Sequence, residues 1–240
     1  MDDTFDYDGV MGPQDVAMLE RERWFGGLSP ALRTAMLSRV TLHSLRAGRH
    51  IYRLGDPPNG LHVLLEGQIR LLSYTPAGMD VVSMVVRPGL WFGELSVLDG
   101  KERPHDAITD TAVRMARLPM AAVADLTSRD PGIWRAIALL SCEHQRMGLR
   151  NTARIQTQSA IVRLTGFLLG RVAKASDGVV RLTQDDLAQI VGVSRQRINA
   201  LIALMKAQAI VNPVYGGLAI ADPEALRLFL QSVREEEEGI

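Results

Sequence analysis

Residues 183–206, TQDDLAQIVGVSRQRINALIALMK, constrain this 240-residue chain most, because their pattern admits two short helices joined by a tight turn. Leu187, Ala188 and Val191 give a first helix its apolar face, and Gly192 stands at the turn. Val193, Ile198, Leu201, Ile202 and Met205 then recur at helical spacing. Thr183 with Asp186 predicts a capping box, and Ser194 predicts the cap of the second helix. The outward positions left over are Arg195, Gln196, Arg197 and Asn199, which donate hydrogen bonds and include no carboxylate. That chemistry reads base edges in a major groove while resting on phosphates. A helix-turn-helix aimed at double-stranded DNA is the sharper reading; an αα-hairpin with a solvated basic face is the other.

Bulk composition narrows the remaining choices. With 47% hydrophobic residues the chain can bury a normal core, in one large or two small domains. The formal net charge is zero, so any affinity for nucleic acid comes from a local patch. Asp2, Asp3, Asp6 and Asp8 make the beginning acidic, residues 235–238 are all glutamate, and residues 194–206 hold Arg195, Arg197 and Lys206 with no carboxylate. Cys142 is the single cysteine, which excludes an intrachain disulfide and a four-thiolate iron–sulfur site in one subunit. As a lone helical cysteine it reads as a small buried hydrophobe. No signal region or membrane-length apolar stretch is visible, so the expectation is a cytoplasmic protein that makes no use of a membrane.

Three textures follow one another. After an acidic, flexible start (1–23), Ser29 and Pro30 open a short helix to about Arg39. Short β-rich runs between Leu42 and Arg117 are punctuated by turn formers at 55–60, 76–78 and 88–89, which argues for an antiparallel barrel or jelly roll. Residues 24–130 are thus expected to form one β-roll domain. Helical texture returns at Pro119, and one long helix is expected over 131–174, with Ile133, Ile137, Leu140, Met147, Ile155 and Ile161 along a broken apolar stripe. That stripe suits packing on its own domain or a dimer seam. The helix-turn-helix unit occupies 175–233, its Asn212-Pro213 and Gly216-Gly217 marking a β-hairpin wing and Asp222-Pro223 a last helix, before an acidic tail at 234–240. The fold class is α+β.

A β-roll, a long helix and a C-terminal winged helix-turn-helix, in that order, resemble the Crp/Fnr family of bacterial transcription regulators from about Trp24 to Val233. Within the roll, Phe92-Gly93-Glu94-Leu95-Ser96 followed by Arg103 resembles the phosphate-binding cassette of cyclic-nucleotide-binding domains, with Gly48, Gly55, Gly67 and Gly89 at its turn positions. The resemblance implies a non-enzymatic regulator, a homodimer joined along the long helix, two recognition helices on a near-palindromic site, contact with RNA polymerase, and a small-molecule effector. Its base-contacting positions fall on Arg195, Gln196 and Ala200, with Asn199 as an alternative contact and Thr183 and Ser194 at phosphates. Arg195 suits guanine O6 and N7, and Gln196 suits adenine.

For the effector, the resemblance implies cAMP held by Arg103 on the cyclic phosphate, Glu94 on the ribose hydroxyl, and the amides after Gly93, near Leu95. A Glu94–Arg103 ion pair in an empty roll is the alternative. Two departures weigh against cAMP. Pro104 stands where cAMP-responsive relatives place serine or threonine, and Gly148 and Leu149 stand where their long helix supplies hydroxyls. His43, His50, His62, His105 and His144 lack close metal-ligand spacing and read as mostly surface or turn residues. Two other function classes are a cyclic-nucleotide module without DNA and a cupin-like metal-dependent enzyme; the first lacks a use for the helix-turn-helix, the second lacks ligands.

Overall fold

The computed structural model describes residues 5–6, 11–74, 80–173, 175 and 177–238. The expected turn at 76–78, and Asp2, Asp3 and Asp8, lie outside them. Two compact units, 1–147 and 148–240, each carry a core of their own.

The first unit opens with β1 (Phe5–Asp6), α1 (Pro13–Arg21), α2 (Arg23–Gly26) and α3 (Pro30–Leu37). Its strands are β2 (Thr41–Leu45), β3 (His50–Tyr52), β4 (Gly60–Glu66), β5 (Ile69–Tyr74), β6 (Asp80–Val86) and β7 (Trp91–Phe92). After α4 (Glu94–Asp99) come β8 (Asp106–Thr109), β9 (Val113–Pro119), α5 (Met120–Arg129) and α6 (Gly132–Thr157), whose residues from 148 onward belong to the second unit. The strands form two antiparallel sheets, ordered β1-β2-β9-β4-β7 and β3-β8-β5-β6. Leu45, Leu64, Phe92 and Met115 from one sheet meet Tyr52, Ile69, Leu71 and Ala107 from the other in the roll interior. The opposite face of the first sheet, with Leu61, Val63 and Leu118, buries against Leu19, Phe25, Val123 and Ile137 of the helices. Strand β4 is therefore covered on both faces, and its period-2 alternation points His62 inward beside Leu64.

Residues 13–23 correct the expectation of a flexible beginning. Helix α1 buries Leu19 completely, and its Asp15 holds Arg114 of β9 through two bonds of 2.6 and 2.9 Å. The Arg114 guanidinium keeps the Asp15 carboxyl below its ordinary range. Trp24 of α2 donates its indole N–H to the Ala136 carbonyl of α6 at 2.7 Å, so this segment is clamped to the unit rather than loose.

The single long helix is also corrected. Helix α6 ends at Thr157, and α7 (Ala160–Val172) restarts after Ser159, whose hydroxyl accepts from the Val162 amide. Arg163 of α7 binds the carbonyls of Ile155 and Gln158 from the end of α6, satisfying acceptors that a continuous helix would have used internally. The apolar stripe divides as well. Ile133, Ile137 and Leu140 pack into the core of their own unit, whereas Trp134, Leu139 and Met147, and farther along Leu149 and Ile155, stay exposed. Cys142 is exposed on α6, not buried.

In the second unit, α7 is followed by β10 (Val179–Val180), α8 (Gln184–Val191), α9 (Arg195–Ala207), β11 (Asn212–Val214), β12 (Gly217–Ala219) and α10 (Pro223–Glu238). The strands pair antiparallel in the order β10-β12-β11, giving the expected wing. The expected tail is largely the end of α10, which runs on because Leu226, Phe229, Leu230 and Val233 hold it in the core at helical spacing. Glu237 accepts the Ser159 amide at 3.1 Å. No helix among the described residues is long and apolar enough to cross a membrane.

Candidate nucleic-acid interface and effector pocket

The helix-turn-helix forms as its sequence dictates. Thr183 accepts the Asp186 amide at 3.1 Å while Asp186 accepts the Thr183 amide at 2.8 Å, closing the capping box of α8. Gly192 ends α8 with a φ of 74°, a left-handed turn that other residues adopt at a cost. Ser194 then caps α9 by accepting the Arg197 amide at 3.2 Å. Leu187, Ala188 and Val191 pack against Ile198, Leu201, Ile202 and Met205, with α7, α10 and the wing completing the core. Arg163 reaches from α7 to the Val191 carbonyl at 2.9 Å and so ties the end of α8 in place. This packing turns Arg195, Gln196, Arg197, Asn199 and Ala200 to solvent. Arg195 is not unaccompanied there: its Nη1 donates to Asp185 of α8 at 3.2 Å.

In the roll, Gly93 takes a φ of 88°, and a Cβ there would lie 2.8 Å from the Arg103 guanidinium. The absent side chain is what lets Arg103 come in. Arg103 is 1% exposed and donates to the carbonyls of Gly93 and Gly60 and to Asn59 Oδ1, each at 2.7 Å. Its guanidinium also lies 4.3 Å above the Tyr52 ring. Glu94 is buried and pairs elsewhere, accepting from His144 Nδ1 of α6 at 2.9 Å. The alternative of a Glu94–Arg103 ion pair is not what forms: the two side chains make separate sets of bonds. Leu95 is exposed at the start of α4.

Residues 42–130 match the family described as the cyclic nucleotide-binding domain, and 162–229 match the Crp-like helix-turn-helix domain. The chain belongs to the Crp/Fnr family of transcriptional regulators. It is 29% identical over 201 residues to the transcriptional regulator SdrP of Thermus thermophilus, spanning 79% of this chain and 94% of that one. It is 25% identical over 193 residues to the CRP-like cAMP-activated global transcriptional regulator of Mycobacterium tuberculosis, spanning 78% and 86%. Among solved structures, a Crp/Fnr-family regulator of Thermus thermophilus superposes with a TM-score of 0.64 at 26% identity, covering 79% of this chain and 98% of its own.

The roll places Gly93 and Glu94 beside one another at the start of α4 with Arg103 bonded to the Gly93 carbonyl, and α9 leaves Arg195, Gln196 and Asn199 exposed. What the sequence reading missed is the inner wall of the roll. His43 and His62 are buried and His105 half-buried, contrary to the surface reading, and His144 is engaged by Glu94. His62 stacks on Phe92 at 5.3 Å, while the Tyr52 ring stands 5.7 Å from both His62 and His105. The alternation of β4 was the available signal, since Leu61, Val63 and Leu65 already claim one face and leave His62 on the other.

Burial, reinforced by the neighbouring Arg103 charge, holds His62 far below the ordinary histidine value of 6.5, and burial also lowers His105. Above about pH 6.5 both imidazoles are neutral folded or unfolded. Below it the unfolded chain takes up protons that the folded roll refuses, so stability falls as pH falls, by up to about 1.4 kcal/mol per pH unit for His62, with His105 acting in the same direction. Asp15 and Asp106 are lowered from 3.8, so their losses come at lower pH. Urea midpoints between pH 7.5 and 5 should therefore decline, and His62→Gln should flatten the decline; an undiminished slope in that variant would refute the assignment.

Proposed function

We propose that this regulator binds double-stranded DNA as a homodimer and reads a near-palindromic operator with α9. Arg195, Gln196 and Asn199 face base edges, and Thr183 and Ser194 close helix starts turned toward phosphates. The carrying observation is the division of α9 itself: Ile198, Leu201, Ile202 and Met205 are buried, and its donor-rich side is exposed. The exposed Trp134, Leu139 and Met147 of α6 support the dimer, since large apolar side chains along one helix favour a partner helix. RNA polymerase is the protein partner that transcriptional regulation calls for. Selection of duplexes by the purified full chain tests this directly. An inverted repeat with half-site centres about 34 Å apart is expected. Recovery of unrelated duplexes at every salt concentration would refute it.

We further propose that the roll takes a small polar effector, with cAMP bound weakly. Tyr52 Oη and Arg103 Nε are buried without a hydrogen-bond partner among the described residues, so donor capacity remains beside the cassette. A cyclic phosphate, however, has to draw Arg103 away from Gly93 and Gly60, and Pro104 brings neither an amide N–H nor a hydroxyl. A missing donor to a charged group costs about 1–3 kcal/mol, or one to two decades of affinity. Pro104→Ser should accordingly tighten cAMP binding about tenfold or more in calorimetric titration. Equal affinity in both proteins would place the ligand elsewhere.

A further inference from the structure

We propose that Asp185 is a specificity-determining residue: it holds the recognition arginine, Arg195, and makes contact with non-operator DNA unfavourable. The inference rests on the reading of α9 given above.

Two acids stand side by side in the first turn of α8, and they do different work. Asp186 is committed to the capping box, where its carboxylate accepts both the amide and the hydroxyl of Thr183 at 2.8 and 2.7 Å. Asp185 lies outside that box. Its Oδ2 accepts from Arg195 Nη1 at 3.2 Å, across the turn, joining the beginnings of the two helices. The side chains are 57% and 63% exposed, so the pair contributes little to folding and its consequence lies at the surface it occupies.

That surface is the one turned to DNA. The first helix of a helix-turn-helix crosses the nucleic-acid backbone, and helix N-termini approach phosphate oxygens. A carboxylate in that turn repels phosphates of any sequence, which lowers affinity for all duplexes alike. Its hold on Arg195 has a second, sequence-dependent effect. An unrestrained arginine at the start of α9 can swing to the nearest phosphate and serve as a general anchor. With Nη1 held, the rest of the fork stays directed along the groove, where guanine offers O6 and N7. Operator DNA recovers the cost of the carboxylate through that contact, and other DNA does not. Discrimination is thus built partly from repulsion, at some cost in absolute affinity.

The test uses the full chain, an operator obtained by selection and an unrelated duplex of equal length. Fluorescence anisotropy across a range of salt concentrations is measured for the wild type, Asp185→Asn, Arg195→Ala and the double variant. Asp185→Asn should tighten the unrelated duplex about three- to tenfold and steepen its salt dependence by about one phosphate equivalent. Operator affinity should change less, so the ratio between the two falls. In the Arg195→Ala background the same substitution should tighten both duplexes equally, leaving the ratio unchanged. A ratio unaffected by Asp185→Asn, or lowered just as much without Arg195, overturns the proposal. A wild type that shows no operator preference overturns it together with the reading of α9, whereas a wild-type preference that Asp185→Asn leaves intact overturns it alone. Asp186 keeps the cap in every variant, so thermal unfolding should be unaltered throughout.

Discussion

Arg195→Ala should abolish operator preference while leaving salt-sensitive binding to any duplex. A bidentate arginine–guanine contact is worth about 1–3 kcal/mol of discrimination. The proposed homodimer would lose one such contact at each half-site, so the operator should weaken by roughly thirty-fold to twenty-thousand-fold. Nonspecific binding persists because it is carried by phosphate contacts, for which Arg197 and Lys206 remain. The substitution is a clean probe, because the Arg195 side chain is 63% exposed and its bond is to an equally accessible Asp185. Surface changes of this kind usually shift stability by no more than about 0.5 kcal/mol. Selection from a random pool should return sites degenerate at one position per half-site. If the variant recovers the wild-type operator, the arginine does not read a base, and the register assigned to α9 is wrong.

The helix-turn-helix was legible because every rule involved acts over a few residues. A capping box, a turn glycine and apolar spacing operate within one or two turns of helix, and Thr183, Gly192 and Leu201 each sit where those rules put them. The wing and the β-rich texture between Leu42 and Arg117, which the structure resolves into strands such as β4, β5 and β6, were readable for the same reason. The misses are contacts between positions far apart in the chain. Asp15 meets Arg114 across 99 residues, and Arg103 meets Asn59 across 44. No local pattern announces either. The break between α6 and α7 is a different kind of miss, since Ser159 is a good capping residue. The stretch lacks proline or glycine there, and helical propensity alone does not reveal that Arg163 satisfies the carbonyls of Ile155 and Gln158. The exposed face of α9 shows its candidate contacts but not Asp185 beside them, because that neighbour belongs to the preceding helix.

Arg103 was expected to be a ligand for phosphate, and the structure gives it a second office that should dominate its mutational effect. Its three 2.7 Å bonds all go to neutral acceptors, the carbonyls of Gly93 and Gly60 and the side chain of Asn59. These acceptors lie at the start of the cassette and the start of β4, so one guanidinium joins two segments of the roll. Burial lowers Arg103 from its usual value, with the charges of Glu94 and Asp56 acting against the shift. Arg103→Ala removes the donors, leaving the buried Gly60 carbonyl and the half-buried Gly93 carbonyl without this partner at about 1–3 kcal/mol each, while Asn59 Oδ1 keeps its contact with His62 Nε2 at 3.0 Å. Allowing for relief of the desolvated charge, the first unit should lose about 3–5 kcal/mol and melt roughly ten degrees lower, whether or not a nucleotide is present. Arg103→Lys should fall between, since one ammonium on a flexible stem cannot reproduce the fork. Thermal unfolding of the full chain without ligand, followed by circular dichroism, measures this. An unchanged melting temperature would return Arg103 to a purely ligand-binding role. The expected loss would instead mean that an effector must compete with the chain for its own arginine, and that competition is a direct way for an occupied roll to differ in shape from an empty one.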